Sequence, residues 1–175
     1  MESNIHWINN KKTRQILFAF SNPKTPRQIE TELRIKKFKA KPYIDKGLLK
    51  ILNPEGRKGR LYTLTGKARR ILGLSVGKKL NNRDWNLIGR VLASPKQKLV
   101  VLRVLDSLKR TSEDIRGRAS KFNSHLSRIS TKGVLRELVK DGLVLSEMGD
   151  RKRYYWISDN GRKILGDLGS IFFRK

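Results

Sequence analysis

The chain repeats itself, and the repeat constrains its fold more than any other feature. Residues 60–73 read RLYTLTGKARRILG, and residues 153–166 read RYYWISDNGRKILG. At one constant offset Arg60 pairs with Arg153, Tyr62 with Tyr155, Leu64 with Ile157, and Thr65 with Ser158. Arg69, Ile71, Leu72 and Gly73 continue the match as Arg162, Ile164, Leu165 and Gly166. Upstream, IDKGLL at 44–49 matches VKDGLV at 139–144 at an offset two residues larger. The length change falls between the matched blocks, where a hairpin tip belongs, and the pattern predicts a duplicated domain.

A chain of 175 residues has room for two such domains. Its formal net charge is +26. Up to residue 80 there are 20 Lys and Arg against 5 Asp and Glu, and beyond it 21 against 10. Both halves are therefore basic, which a detachable basic tail would not produce, and the excess points to a polyanionic partner. Cysteine is absent, which excludes disulfides, thiolate metal sites and thiol catalysis. The stretch MESNIHWINNKKTR has no apolar signal core and no window approaches a membrane span, so the expected location is the cytosol, in association with the nucleoid.

Local signals then place the elements. Within the polar lead at 1–10, Ile5, Trp7 and Ile8 are expected to pack somewhere. TRQILFAF from Thr13 has helical spacing and stops at the breaker cluster SNPKTP. Thr25 followed by Pro26 reads as a helix start, with Ile29 and Leu33 inward. RIKKFK reads as a turn and the start of a third helix that stops at Gly47. Two short strands, LLKILN and RLYTLT, flank PEGRKG, and Thr65 caps a closing helix. After a joint at 74–80, NRDWNLIGRVLA carries Trp85, Ile88 and Leu92 on one stripe with Val91 beside it. It reads as a connecting helix whose stripe packs between domains rather than forming a dimer surface.

The second unit starts at Ser94-Pro95, with Gln97 completing a capping box, and KQKLVVLRVLDSL reads as one helix. SEDIRGRA is a second helix, with Ile115 and Ala119 inward. Ser130 is expected to cap a third, TKGVLRELVKDG, that buries Val134, Leu135, Leu138 and Val139. LVLSEM and KRYYWIS flank a tip at Gly149-Asp150-Arg151, and Ser158 caps the closing helix.

The Ser130 cap, the Val134/Leu138 stripe, Gly142-Leu143-Val144 and YWISDNGRKIL carry a resemblance. Over its whole length the second unit is similar to the winged helix-turn-helix DNA-binding proteins of bacterial and archaeal transcriptional regulation. The resemblance implies a mainly α fold with small β-hairpin wings (α+β), as two winged-helix domains in tandem. The expected boundaries are 1–73 and 94–175, with the linker and its helix at 74–93. It further implies that the third helix lies in the major groove and that the wing lies along the backbone or minor groove.

On that basis Thr131, Lys132 and Arg136 are expected on the helix face opposite Val134 and Leu138, with Ser127 and Arg128 just before the cap. The wing tips supply Arg151, Lys152 and Arg153 in unit two, and Arg57, Lys58 and Arg60 in unit one, where Gly56 and Gly59 are read as allowing close backbone approach. Unit one departs from the pattern. Aligned on Gly47, its usual buried positions fall at Lys39 and Tyr43, and Pro42 lies inside the expected helix, which favours a short or late start. Phe38 is the candidate replacement contact. Lys36, Lys37, Lys39 and Lys41 form a cationic edge without bidentate side chains, so unit one reads as a phosphate clamp and unit two as the sequence reader.

The expected partner is double-stranded DNA, bound by a transcriptional regulator or an architectural coat. A structured RNA or the ribosome is the alternative, which the lysine-rich edge of unit one favours. A third reading is a protein-interaction module of a polymerase or replication complex, with a protein partner at Trp156 or the linker helix. Trp156 faces outward if Tyr155 and Ile157 face the core. No catalysis, metal or cofactor is expected. His6 and His125 are isolated, the pairs Glu30/Glu32 and Glu113/Asp114 suit surface or capping roles, and Thr65-Gly66-Lys67-Ala68 lacks the earlier glycine and following hydroxyl of a phosphate loop.

Overall fold

Asn10 begins the first helix, because its Oδ1 accepts the otherwise unpartnered N–H groups of Lys12 and Thr13 at 3.0 and 3.2 Å. Helix α1 therefore runs Lys11–Ala19, two residues earlier than apolar spacing alone suggests. The computed structural model describes residues 10–56, 59–75 and 80–172. Ile5, Trp7, Ile8 and much of the 74–80 joint lie outside them. The chain is mainly helical with small antiparallel sheets, and it divides into two compact units between Gly89 and Arg90.

In the first unit, Thr25 and Gln28 cap α2 (Pro26–Glu32) reciprocally: Gln28 N donates to Thr25 Oγ1 at 3.3 Å and Thr25 N to Gln28 Oε1 at 2.8 Å. Helix α3 covers only Lys41–Asp45. RIKKFK does not begin it. Pro42 fits only the first turn, where no N–H is needed, so the chain stays irregular up to Ala40. Phe38 fills the place of the missing apolar contact, with its ring centroid 5.4 Å from Phe20 and 5.5 Å from Tyr43. Strands β1 (Leu49–Ile51) and β2 (Tyr62–Leu64) pair antiparallel, Leu49 opposite Leu64. Lys24 adds a single bridge to Tyr62. Helix α4 (Gly66–Ile71) closes a core built on Leu17, Phe20, Ile29, Leu48, Leu64 and Ala68.

Helix α5 (Asn82–Leu92) buries Trp85, Ile88, Val91 and Leu92 as its spacing predicts, and Leu87 as well. The capping box at Ser94 does not form. The φ and ψ of Ser94, −139° and 65°, lie outside capping geometry; its side chain makes no cap bond, and Pro95–Leu99 winds as a π-turn into α6 (Val100–Val104). The predicted single helix thus ends at Val104, and Asp106 organises the turn that follows. A strand the sequence did not announce, β3 (Arg110–Thr111), leads into α7 (Ser112–Ser120), which Thr111 and Asp114 cap reciprocally. Helix α8 spans Arg128–Lys140 and is capped by Ser127, whose Oγ accepts Ser130 N at 3.1 Å; Ser130 is inside the helix rather than its cap. Val139 is only half-buried. Strands β4 (Val144–Met148) and β5 (Arg153–Ile157) form a five-pair ladder, and β3 lies on the other side of β5. Helix α9 (Asp159–Phe172) closes the unit.

The same knot ties both units. Gly47 and Gly142 end α3 and α8 with φ of 66° and 70°, and Leu48 N and Leu143 N reach back to the carbonyls of Tyr43 and Leu138 at 2.8 and 2.9 Å. Thr65 Oγ1 accepts Ala68 N at 3.2 Å and donates to Gly47 O at 2.7 Å. Ser158 Oγ accepts Gly161 N at 2.9 Å and donates to Gly142 O at 2.7 Å. One hydroxyl, used as donor and acceptor, so joins the end of one helix to the start of the next. The copies differ in clearance. A Cβ on Gly161 would lie 2.1 Å from Leu143 O, whereas Ala68 occupies the matching place in unit one and is fully buried.

Gly161→Ala should therefore destabilise the protein by about 1–3 kcal/mol, because a backbone carbonyl blocks the added methyl. Ser158→Ala should cost about 0.5–2 kcal/mol by removing the cap. Urea unfolding measures both; unchanged midpoints would show that the knot does not hold the fold.

Candidate nucleic-acid interface

Helix α8 and the β4–β5 hairpin meet at a cleft of about 790 Å³. The buried stripe of α8 (Thr131, Val134, Leu135 and Leu138) fixes the rotation of the helix. Arg128, Lys132 and Arg136, spaced four apart, then fall along one edge and line the cleft. The opposite wall is the hairpin tip. Gly149 N donates to Lys152 O at 2.9 Å and closes the turn. Arg151, Lys152 and Arg153 line the cleft from there. Six residues that the sequence nominated on two separate elements thus share one surface, with Val139 and Tyr155 between them.

These cations are exposed. Lys132, Arg136, Arg151, Lys152 and Arg153 make no ion pair with another described residue. Several carboxylates of the unit are engaged elsewhere: Asp106 with Arg110 and Arg118, Glu137 with Lys98, and Glu147 with Lys109, while Asp150 stands exposed in the hairpin tip beside Arg151. Glu113 is the acidic group at the cleft. It holds Arg116 at 2.6 Å and lies 3.8 Å from Arg128. Hydrogen bonds from Thr111 hold the Asp114 carboxyl below its ordinary range, and the charges of Arg110 and Lys152 add to this.

Two nominated residues have other duties. Thr131 does not face outward. It is fully buried, and its Oγ1 donates to Ser127 O at 2.9 Å, because it lies three and seven residues before Val134 and Leu138 on the buried stripe. It cannot touch a partner from there. Ser127 is exposed at the helix start, but its hydroxyl is committed to the cap.

In the first unit Lys36, Lys37, Lys39 and Lys41 are all exposed. The first three stand on the irregular segment before α3, with Lys37 at a φ of 52°. Arg60 is exposed and its Nε donates to Gly56 O at 3.3 Å, whereas Arg57 and Lys58 lie outside the described residues. Gly56 and Gly59 serve a side chain of the protein itself. Asn53 is fully buried, accepts Leu61 N at 2.6 Å and donates to Gly59 O at 3.1 Å. A Cβ on Gly56 would lie 2.7 Å from Asn53 Nδ2, and Gly59 takes a φ of 68°. Trp156 is half-buried opposite Leu145 on the outer face of the hairpin, with Lys109 Nζ 5.2 Å above its ring.

The sequence reading missed Arg110 and Asp106. Arg110 donates to Asp106 through Nε at 3.1 Å and Nη2 at 2.6 Å, Leu108 N donates to the same carboxylate at 3.0 Å, and Ile157 N donates to Asp106 O at 3.0 Å. Arg110 is thereby a structural cation. Among the described residues no cluster of His, Asp and Glu is placed to hold a metal ion, and no helix is long and apolar enough to cross a membrane. No family model matches the chain, and no curated protein matches it.

The hydrogen bonds from Arg110, helped by the Leu108 amide and the nearby positive charges, hold the Asp106 carboxyl below the usual aspartate range. A depressed folded-state value means stability that is present above the unfolded value of about 3.9 and is lost as pH falls through the folded one. Asp106→Asn should be less stable than the native chain at neutral pH, and its melting temperature should fall less between about pH 6 and pH 2. Parallel thermal melts check this; equal acid sensitivity would show that the pairing does not contribute.

Proposed function

We propose that the chain is a duplex-DNA-binding protein made of two winged-helix units, acting as a transcriptional regulator or an architectural DNA binder. The carrying observation is the cleft between α8 and the β4–β5 hairpin. Its two walls present Arg128, Lys132 and Arg136 on one side and Arg151, Lys152 and Arg153 on the other. The order of helices and hairpin supports this reading, on which α8 would enter the major groove and the hairpin would grip the neighbouring backbone. Arg136 is the candidate for guanine, since a guanidinium binds O6 and N7 together. The first unit, with lysines on an irregular segment, contributes phosphate contacts that do not depend on sequence.

A second reading, a binder of structured RNA, is favoured by that same lysine segment, which suits an irregular phosphate lattice as well as a duplex. Competition between a DNA duplex and a structured RNA of equal length separates the two.

On the DNA reading, the logarithm of affinity should fall against the logarithm of salt with a slope of about −5 or steeper. Neutralising Arg151, Lys152 and Arg153 should make the slope shallower by roughly one unit for each phosphate no longer neutralised. A slope near −1, or preference for the RNA, would overturn the reading. Arg136→Ala should flatten discrimination among duplex sequences, by about 1–3 kcal/mol at one base pair, whereas Lys37→Ala should weaken all sequences alike. Uniform weakening by both would leave an architectural binder, not a regulator.

A further inference from the structure

Ile129 is 86% exposed, the most exposed large apolar side chain among the described residues. Single exposed apolar residues are ordinary on protein surfaces, so exposure alone assigns it nothing. Its position does. At 3.6 residues per turn, Ile129 lies on the side of α8 directly opposite the buried stripe, one turn before Lys132 and Gly133 and two before Arg136. It therefore stands beside free cations at the edge of the cleft, where a polyanion drawn to them is brought over it. Gly133 lies on the same outer face, and a Cβ there would meet nothing within 4 Å. Gly117 and Gly166 are equally open, so an open helical glycine carries no weight alone. Between Ile129 and Arg136, however, it lowers the profile of the helix where a base pair would approach.

A branched hydrocarbon side chain has one apolar counterpart on the floor of the major groove, the C5 methyl group of thymine. We infer that Ile129 is a specificity-determining residue that packs on a thymine methyl, and that Gly133 lets α8 approach closely enough for it to do so. The inference rests on the duplex-DNA reading and deepens it. The methyl is what thymine has and uracil lacks, so the same contact favours DNA over RNA. On the same reading Arg136, two turns further along, would meet a guanine in the same target sequence.

The test uses the full chain and the tightest-binding duplex recovered from a pool of random 30-base-pair DNA duplexes, resynthesised with uracil in place of thymine in both strands. The native protein should bind the uracil form about fourfold more weakly for each methyl contacted. Ile129→Ala, a change in solvent that leaves the core intact, should bind the thymine form more weakly and lose the difference between the two forms. Gly133→Ala should fold at least as well as the native chain, since alanine is the better helix former, and should bind both forms more weakly. Equal affinity of the native protein for both forms overturns the inference. So does a thymine preference that survives Ile129→Ala, binding unchanged by Gly133→Ala, or a pool that yields no preferred duplex. Failure of the underlying reading looks different: no DNA duplex is retained, in either form, while a structured RNA is.

Discussion

In each unit a single hydroxyl ties the end of the third helix to the start of the closing helix. Thr65 and Ser158 each accept a free amide in the first turn of a closing helix, Ala68 N or Gly161 N, and donate to the glycine carbonyl that ends the third helix. The Gly161 amide is buried and would otherwise be an unsatisfied donor, where a missing partner costs about as much as the bond itself, whereas the bond to Gly47 O is exposed and contributes direction. The residues next to these bonds, Leu48 and Leu143, have no exposed surface. The angle between helix, hairpin and closing helix is thus fixed by these directional bonds together with the packing of the two leucines. In unit two it sets where α8 and the hairpin face one another, and so whether a cleft exists between them.

Much of this was legible because it follows from local rules. The paired Thr and Ser caps, the glycine stops, and the inward turn of Tyr155 and Ile157 all follow from short-range patterns that the duplication repeats. The six cleft cations were nominated from two elements, and tertiary structure alone brought them onto one surface. Other features were present in the sequence but masked. Thr131 lies on the spacing of the buried stripe, yet its hydroxyl suggests an outward face; the bond to Ser127 O makes its burial tolerable. Ser127 and Ser130 are three apart and compete as caps, and local chemistry does not decide between them. Thr111 with Asp114 repeats Thr25 with Gln28, a kinship hidden because two different side chains close the same box. The π-turn at Pro95–Leu99 and the clamp of Arg110 on Asp106 left no periodic trace.

The two copies share a frame and differ in what it presents. Twenty-two positions separate Thr25 from Gly47, against thirty-one from Thr111 to Gly142. The deficit falls on the third helix, which is five residues in unit one and thirteen in unit two. Pro42 and the aromatic group of Phe20, Phe38 and Tyr43 make the short form stable. A five-residue helix offers little more than one turn of outward surface, while thirteen residues offer more than three. A long outward helix face that holds side chains in register therefore belongs to one copy.

The hairpins differ in the opposite sense. Residues 52–61 connect the strands of the first, and residues 149–152 those of the second. The longer connection is anchored by the buried Asn53, which bonds Leu61 N and Gly59 O, and the hydroxyl bonds lie below this difference, at the base of each hairpin. Closing a loop costs only about 0.6 kcal/mol more for each doubling of its length. Beyond such an anchor, tip length is a nearly free variable in this architecture, adjustable like the length of a finger on a fixed knuckle. Lengthening a tip moves its charges outward while the fold beneath stays the same, so the reach of one tip can be reset independently of the other.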